Sequence, residues 1–123
     1  MSRYARQSIL PELGEAGQAA LRGAHALVIG AGGLGAPVLP YLVGAGVGTV
    51  TIVDGDVVSL SNLHRQTLFR EAEIDQGKAE IAAHTLRGLN SECDIRPVAE
   101  PLTPLNAGAL VEAADIVLDC ADS

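Results

Sequence analysis

The stretch from His25 to Asp54 constrains this chain more than any other part of it. It opens on a short apolar run, His25 to Gly30, bounded by glycines, which has the form of a strand buried on both faces of a parallel sheet. Gly30-Ala31-Gly32-Gly33-Leu34-Gly35 follows, and then an apolar, helix-like stretch from Ala36 to Gly44. The β-branched run Thr49 to Val53 ends in Asp54, so strand, glycine loop, helix and strand occupy about thirty residues, the pattern of a βαβ unit.

The rest of the chain extends this pattern. Residues 1 to 24 contain Pro11, Gly14, Gly17 and Gly23 with a helical stretch from Glu15 to Arg22, and read as a lead-in segment rather than a strand. Ser59 to Arg70 is polar and irregular. Ile74, Ala79, Ile81, Ala82, Leu86 and Leu89 stand at helical spacing, predicting a helix over Glu73 to Leu89 with Gly77 near its start. Asp94 to Ala99 predicts a third strand, Leu105 to Ala113 a short helix, and Asp115 to Asp119 a fourth strand. Such alternation implies right-handed crossovers and an α/β fold: a Rossmann-like, doubly wound, mainly parallel sheet with helices on both faces. The expected organisation is a lead-in over residues 1–24 and one Rossmann-like domain over residues 25–123. The chain stops just after the fourth strand, so that domain reads as truncated there, the N-terminal part of a larger one.

Composition narrows the class. The 123 residues are 48% hydrophobic and 19% charged, which suits one soluble domain with one core. No run of about eighteen apolar residues appears, and the first twenty residues are polar and charged, so a soluble, cytoplasmic protein without a membrane role is expected. Cys93 and Cys120 lie far apart and outside any C-x-x-C, which points to two half-buried thiols rather than a disulfide framework or a zinc site. A net charge of −7 argues against nucleic acid or an anionic membrane as the main partner. Yet Lys78 is the sole lysine, Arg65, Arg70 and Lys78 fall close together, and Arg3 and Arg6 open the chain; cations grouped in an acidic protein suit an anion held locally.

Gly30, Gly32 and Gly35 meet G-x-G-x-x-G, whose use is to let backbone amides and a helix N-terminus approach phosphate oxygens. Asp54 stands nineteen residues beyond Gly35 at the end of the next strand, where a carboxylate accepts hydrogen bonds from ribose hydroxyls. No Walker A pattern is present. The glycine loop and Asp54 would serve NAD as well as ATP. The next segment separates them: Ser61-Asn62-Leu63-His64-Arg65-Gln66 and then Lys78 place an amide, a guanidinium and an ammonium where a triphosphate would extend from the ribose. Adenylyl transfer needs such groups, because the departing pyrophosphate gathers negative charge. Asp119 and Asp122, at the end of the fourth strand, fall at the carboxyl edge of the sheet, where a carboxylate can hold Mg²⁺ against phosphates. Taken singly, Asn62 reads as a turn residue, Arg65 as a solvated arginine, Lys78 as a surface lysine and Asp119 as a cap; their gathering after Asp54 favours a site. His25, His64 and His84 show no ligand spacing and read as structural or exposed.

Arg3-Tyr4-Ala5-Arg6-Gln7, the glycine loop, Ala45-Gly46-Val47-Gly48, Asp54-Gly55-Asp56 and Ser61 to Gln66, in this order across nearly the whole chain, resemble the ThiF/MoeB/HesA family of ubiquitin-activating-enzyme-like adenylyltransferases. The resemblance implies an ATP-binding domain that adenylylates the C-terminal Gly-Gly carboxylate of a small ubiquitin-like sulfur-carrier protein and releases pyrophosphate, in molybdopterin or thiamine biosynthesis. It implies that Gly33, Asp54, Ser61, Asn62, Arg65, Lys78, Asp122 and Ser123 contact the nucleotide, with Asp54 on the ribose, Asn62, Arg65 and Lys78 on the phosphates, and Asp122 placing Mg²⁺. It further implies a homodimer in which Arg6 reaches the neighbouring subunit's ATP site, so that Arg6, Arg65, Lys78 and Asp122 carry the catalysis. Two departures stand out: Ser123 follows Asp122 where the family usually has asparagine, and the C-x-x-C pairs that hold zinc in the family's C-terminal part are absent, so no zinc is expected in this chain. A noncatalytic nucleotide- and carrier-binding scaffold and an NAD-dependent dehydrogenase are the alternatives left standing.

Overall fold

The structure is a computed structural model and describes residues 3–8, 10–11, 13–32, 35–64, 66 and 68–121, the side chains of Ser8, Ala36 and Asn62 excepted. Two helices, α1 (Ala5–Ser8) and α2 (Gly14–Gly23), precede β1 (His25–Ile29), α3 (Gly35–Ala45) and β2 (Thr49–Val53). After a polar segment with 3-10 turns at Leu60–Asn62 and Glu71–Glu73 come α4 (Lys78–Leu89), β3 (Asp94–Val98), α5 (Pro104–Ala113) and β4 (Ile116–Asp119). No helix among the described residues is long and apolar enough to cross a membrane.

The four strands are parallel in the order β3-β2-β1-β4. That order reverses direction between β1 and β4, since the chain builds outward from β1 to β3 and then returns across the sheet through α5 to the other side of β1. Right-handed crossovers place α3 and α4 on one face and α5 on the opposite face. This is the Rossmann-like α/β arrangement that the alternation of apolar runs implied.

The core explains the element choices. Ala26, Val28, Val50, Ile52 and Ile95, in register across β1, β2 and β3, point to one face and pack against Leu39 and Val43 of α3 and against Ala79, Ala82, Ala83 and Leu86 of α4. Burial of each large member, such as Leu39 or Ile52 at 0% exposure, contributes about 1.5–3 kcal/mol. The small alanines of α4 let that helix come close to the sheet and to α3, with which it makes direct contact. Leu27, Thr51 and Val53 are buried on the other face. There His25 Nε2 lies 2.7 Å from Thr51 Oγ1, a structural role for that histidine.

One helix begins later than its sequence suggests. The pattern predicted a start at Glu73, but α4 starts at Lys78 with Gly77 as its N-cap. The backbone of residues 75–78 is claimed by the segment after β2 instead. Val58 N–H donates to Gln76 O, Asp75 N–H to Val58 O and Lys78 N–H to Asp56 O, at 2.8, 2.8 and 3.0 Å, and Asp75 takes a left-handed φ of 72°. Hydrogen bonds to a neighbouring segment thus outweigh the local helix propensity of Glu73 and Ile74.

The lead-in caps the amino ends of the strands. Gly48 N–H donates to Leu21 O and Thr49 N–H to Ala24 O. Gln7 Nε2 donates to Ala45 O at 2.6 Å, and Gln18 Nε2 donates to the same carbonyl at 3.0 Å. Asn90, 1% exposed, donates through Nδ2 to Tyr4 Oη and to Val43 O, both at 2.8 Å. These side chains satisfy last-turn carbonyls of α3 that the helix itself leaves open. Asn90→Ala should therefore cost about 1–3 kcal/mol in urea unfolding, because the buried carboxamide's hydrogen bonds to Tyr4 Oη and Val43 O are lost and Val43 O keeps only the one from Gly46 N–H; an unchanged midpoint would contradict this.

Candidate functional site at the carboxyl edge

Where the strand order reverses, the sheet cannot be closed over by a crossover, and a crevice opens at the carboxyl ends of the strands. Here it is a cleft of about 520 Å³, within the range of about 300–1,000 Å³ typical of small-molecule sites. The turn after β1 contributes Ile29, Gly30 and Gly32, and the turn after β2 contributes Asp54, Gly55 and Asp56. Lys78 enters from the first turn of α4, Pro101 and Leu102 from the loop before α5, and Asp119, Cys120 and Ala121 from the end of β4.

The glycine loop is built by close approach. A Cβ at Gly35 would lie 1.9 Å from the carbonyl oxygen of Gly30, so the loop turns too tightly for any side chain at the start of α3. Asp54 ties the loop to the next turn: Oδ2 accepts from Ala31 N–H and Oδ1 from Asp56 N–H, both at 2.8 Å. Each carboxylate oxygen keeps a further lone pair, so the half-buried carboxylate is positioned by the backbone and still able to accept a hydroxyl from the cleft.

Lys78 departs from the reading of a surface lysine: it is 5% exposed and lines the cleft. The hydrogen bond from its N–H to Asp56 O, which delays the start of α4, is what brings it there. Asp119 lines the cleft with an exposed carboxylate whose Oδ1 accepts from Ala121 N–H at 3.2 Å. The described cleft therefore carries three carboxylates, Asp54, Asp56 and Asp119, against one ammonium.

Of the other residues singled out from the sequence, Ser61 is exposed on the 3-10 turn, with its Oγ 3.3 Å from Ser59 Oγ, and does not line the cleft. Asn62 ends that turn, and its side chain lies outside the described residues, as do Gly33, Arg65, Asp122 and Ser123. Arg6 is exposed on α1, with the lead-in at the amino ends of the strands, so the fold does not bring it to this cleft within one chain. His64 and His84 are exposed. Asp56, Pro101, Leu102 and Gln66 were missed as individual candidates. Asp56 and Gln66 stand inside the motifs quoted, but only the packing shows where they lie.

The two cysteines are more buried than half-buried thiols, at 6% for Cys93 and 8% for Cys120. Burial pushes both thiols up from their ordinary value, with Asp94 adding to the effect at Cys93 and Asp119 at Cys120. A raised thiol stays protonated through neutral pH, and only the thiolate is nucleophilic. Alkylation of Cys120 by iodoacetamide, followed by mass spectrometry, should accordingly be slow at about pH 7 and still rising at about pH 9. A plateau below about pH 8 would contradict this.

The profile of the ThiF family matches residues 4–123. This chain belongs to the ThiF family. It is 48% identical over 121 residues to the "Adenylyltransferase and sulfurtransferase uba4" of Aspergillus terreus, a match that covers 98% of this chain and 25% of that protein. It is 51% identical to the "Adenylyltransferase and sulfurtransferase MOCS3" of Bos taurus, over 98% of this chain and 27% of that protein. The chain thus spans about a quarter of the length of these ThiF relatives. Among solved structures, the E. coli tRNA N6-threonylcarbamoyladenosine dehydratase TcdA in complex with ATP superimposes with a TM-score of 0.90 at 30% identity, covering 98% of this chain and 49% of TcdA.

Proposed function

We propose that this ThiF-family chain forms the ATP-binding part of an enzyme that adenylylates the C-terminal Gly-Gly carboxylate of a small ubiquitin-like sulfur-carrier protein. The observation that carries the reading is the convergence of the glycine loop, Asp54 and the buried Lys78 on one cleft at the carboxyl edge, in a chain half identical to proteins named adenylyltransferase and sulfurtransferase and of the same fold as a protein crystallised with ATP. Residues 25–123 would be the N-terminal part of the ATP-binding domain and residues 1–24 its lead-in.

In this reading the carrier's carboxylate oxygen attacks the α-phosphorus, the bond from that phosphorus to the bridging oxygen breaks, and pyrophosphate leaves with the electron pair. The product is an acyl adenylate. No protein nucleophile is needed; the chain holds the reactants in line and stabilises charge. Asp54 would hold the ribose, the glycine loop would present backbone N–H groups to phosphate oxygens, and Lys78, held out of bulk water, would balance charge on the departing pyrophosphate.

The charge of the cleft argues that Lys78 does not act alone. Three carboxylates facing one ammonium would repel a triphosphate, so further positive charge must arrive with or around it. Mg²⁺ suits this donor chemistry, since it binds through one or two carboxylates together with phosphate oxygens and water. Asp119 and Asp122 would hold it, and bound there it neutralises phosphate charge. Asn62 and Arg65 would contact the phosphates, and Ser61, Gly33 and Ser123 would complete the nucleotide contacts. Arg6, held at the opposite end of its own sheet, would serve the cleft of a second subunit, which makes the enzyme a homodimer. Mixing an Arg6→Ala subunit with an Asp54→Ala subunit tests this arrangement: activity should return, because one cleft of the mixed dimer has both groups. No recovery in a mixture shown to exchange subunits would contradict it.

A further inference from the structure

Gln66 closes the polar run of residues 59–66, and it is nevertheless only 2% exposed. Its carboxamide lies against the glycine loop: a Cβ at Gly32 would come within 3.2 Å of Nε2 and 3.6 Å of Cδ. Gly32 lines the cleft and Gln66 does not, so the carboxamide stands behind the loop and out of a ligand's path. Its Oε1 is buried and has no hydrogen-bond partner among the described residues. Packing alone does not favour that choice, because methionine or leucine would fill similar space without stranding an acceptor. A polar atom left stranded beside a ligand loop is the kind of local cost that functional sites retain.

We propose that Gln66 is a positioning residue for the glycine loop: its carboxamide sets the loop's height at Gly32, and Oε1 is the acceptor onto which the backbone at Gly32 closes when a nucleoside triphosphate binds. The inference rests on the ATP reading above. It differs from a packing role in one respect. Packing residues stabilise the fold, whereas Gln66 costs stability and returns it as affinity.

The test compares Gln66→Met with the unsubstituted full-length protein by calorimetric titration of ATP and adenosine, thermal unfolding, and hydrogen exchange of the ligand-free protein. ATP affinity should fall about tenfold or more, adenosine affinity should hold, and the melting temperature should be unchanged or higher. Amides of residues 30–35 should exchange faster while those of the strands do not. Gly32→Ala should also weaken ATP, and the double variant should bind no more weakly than the weaker single one. Unchanged ATP affinity with unchanged loop exchange would overturn the proposal, and so would a joint loss of melting temperature and affinity, which marks a packing residue. If the unsubstituted protein bound no ATP but the loop exchange still responded, the positioning role would stand and the ATP reading would fall.

Discussion

Lys78→Met should lower ATP–pyrophosphate exchange by about 10²–10³-fold while the fold persists. Methionine keeps the length and the apolar stem of the side chain, so the packing of a residue that is 95% buried is largely preserved. What disappears is the one ammonium among the described residues of a cleft that otherwise carries carboxylates. The loss should fall mainly on the catalytic step, since charge on the leaving pyrophosphate is greatest in the transition state. Unfolding in urea is expected to shift little, because replacing a buried charge by an apolar side chain of similar size also removes its desolvation cost. Lys78→Arg should not restore activity: the guanidinium is bulkier and planar, in a site where the backbone N–H is already tied to Asp56 O. Exchange within about twofold of the unsubstituted protein in Lys78→Met would remove the ammonium from the account.

Gly35→Ala carries the second large effect, on stability and binding together. The added carbon would meet Gly30 O at 1.9 Å, and both partners are backbone, so no side chain can swing aside. Opening the loop to admit the methyl group should cost about 3 kcal/mol and pull the loop N–H groups away from phosphate, abolishing measurable ATP binding. Gly44, on the exposed side of the same helix, is the control: a Cβ there meets nothing within 4 Å. Gly44→Ala should stabilise by about 0.5–1 kcal/mol and leave ATP binding unchanged. If the two substitutions behaved alike, the close approach at Gly35 would not be what shapes the loop.

The two central strands were legible because β1 and β2 are buried on both faces, and burial writes itself into composition. Thr49–Val53 is an unbroken β-branched run with the same bounds in sequence and structure. His25 to Ile29 differs from its expected run only by the glycine that begins the loop. The start of α4 was not legible, because Glu73 and Ile74 fit helical spacing while the groups that claim the backbone of residues 75–78 lie some twenty positions earlier, at Asp56 and Val58. Local pattern has no access to such a partner.

The site divides the same way. Asp54 was legible from its place at the end of a strand after a glycine loop, a spacing set by βαβ geometry. Lys78 was legible as a charge near a candidate site but read alone as a surface residue, since a lysine at a helix start is ordinarily solvated. Its burial follows from the displaced helix start. Gln66 sat in a recognised run, but as a polar residue in an irregular segment it gave no sign of packing behind Gly32. Arg6 shows a limit of another kind: proximity in motif order says nothing of which end of the sheet a residue occupies, and α1 lies with the lead-in at the end away from the cleft.

We propose that this cleft activates a carboxylate with ATP. ATP–pyrophosphate exchange by the full-length protein, measured with a panel of small ubiquitin-like proteins ending in Gly-Gly and with Mg²⁺ omitted as a control, tests it most directly. The expected result is Mg²⁺-dependent exchange that requires a carrier with its terminal carboxylate intact and is lost on Asp54→Ala. ATP binding without exchange for any carrier would contradict it and leave the cleft as the nucleotide site of a noncatalytic scaffold.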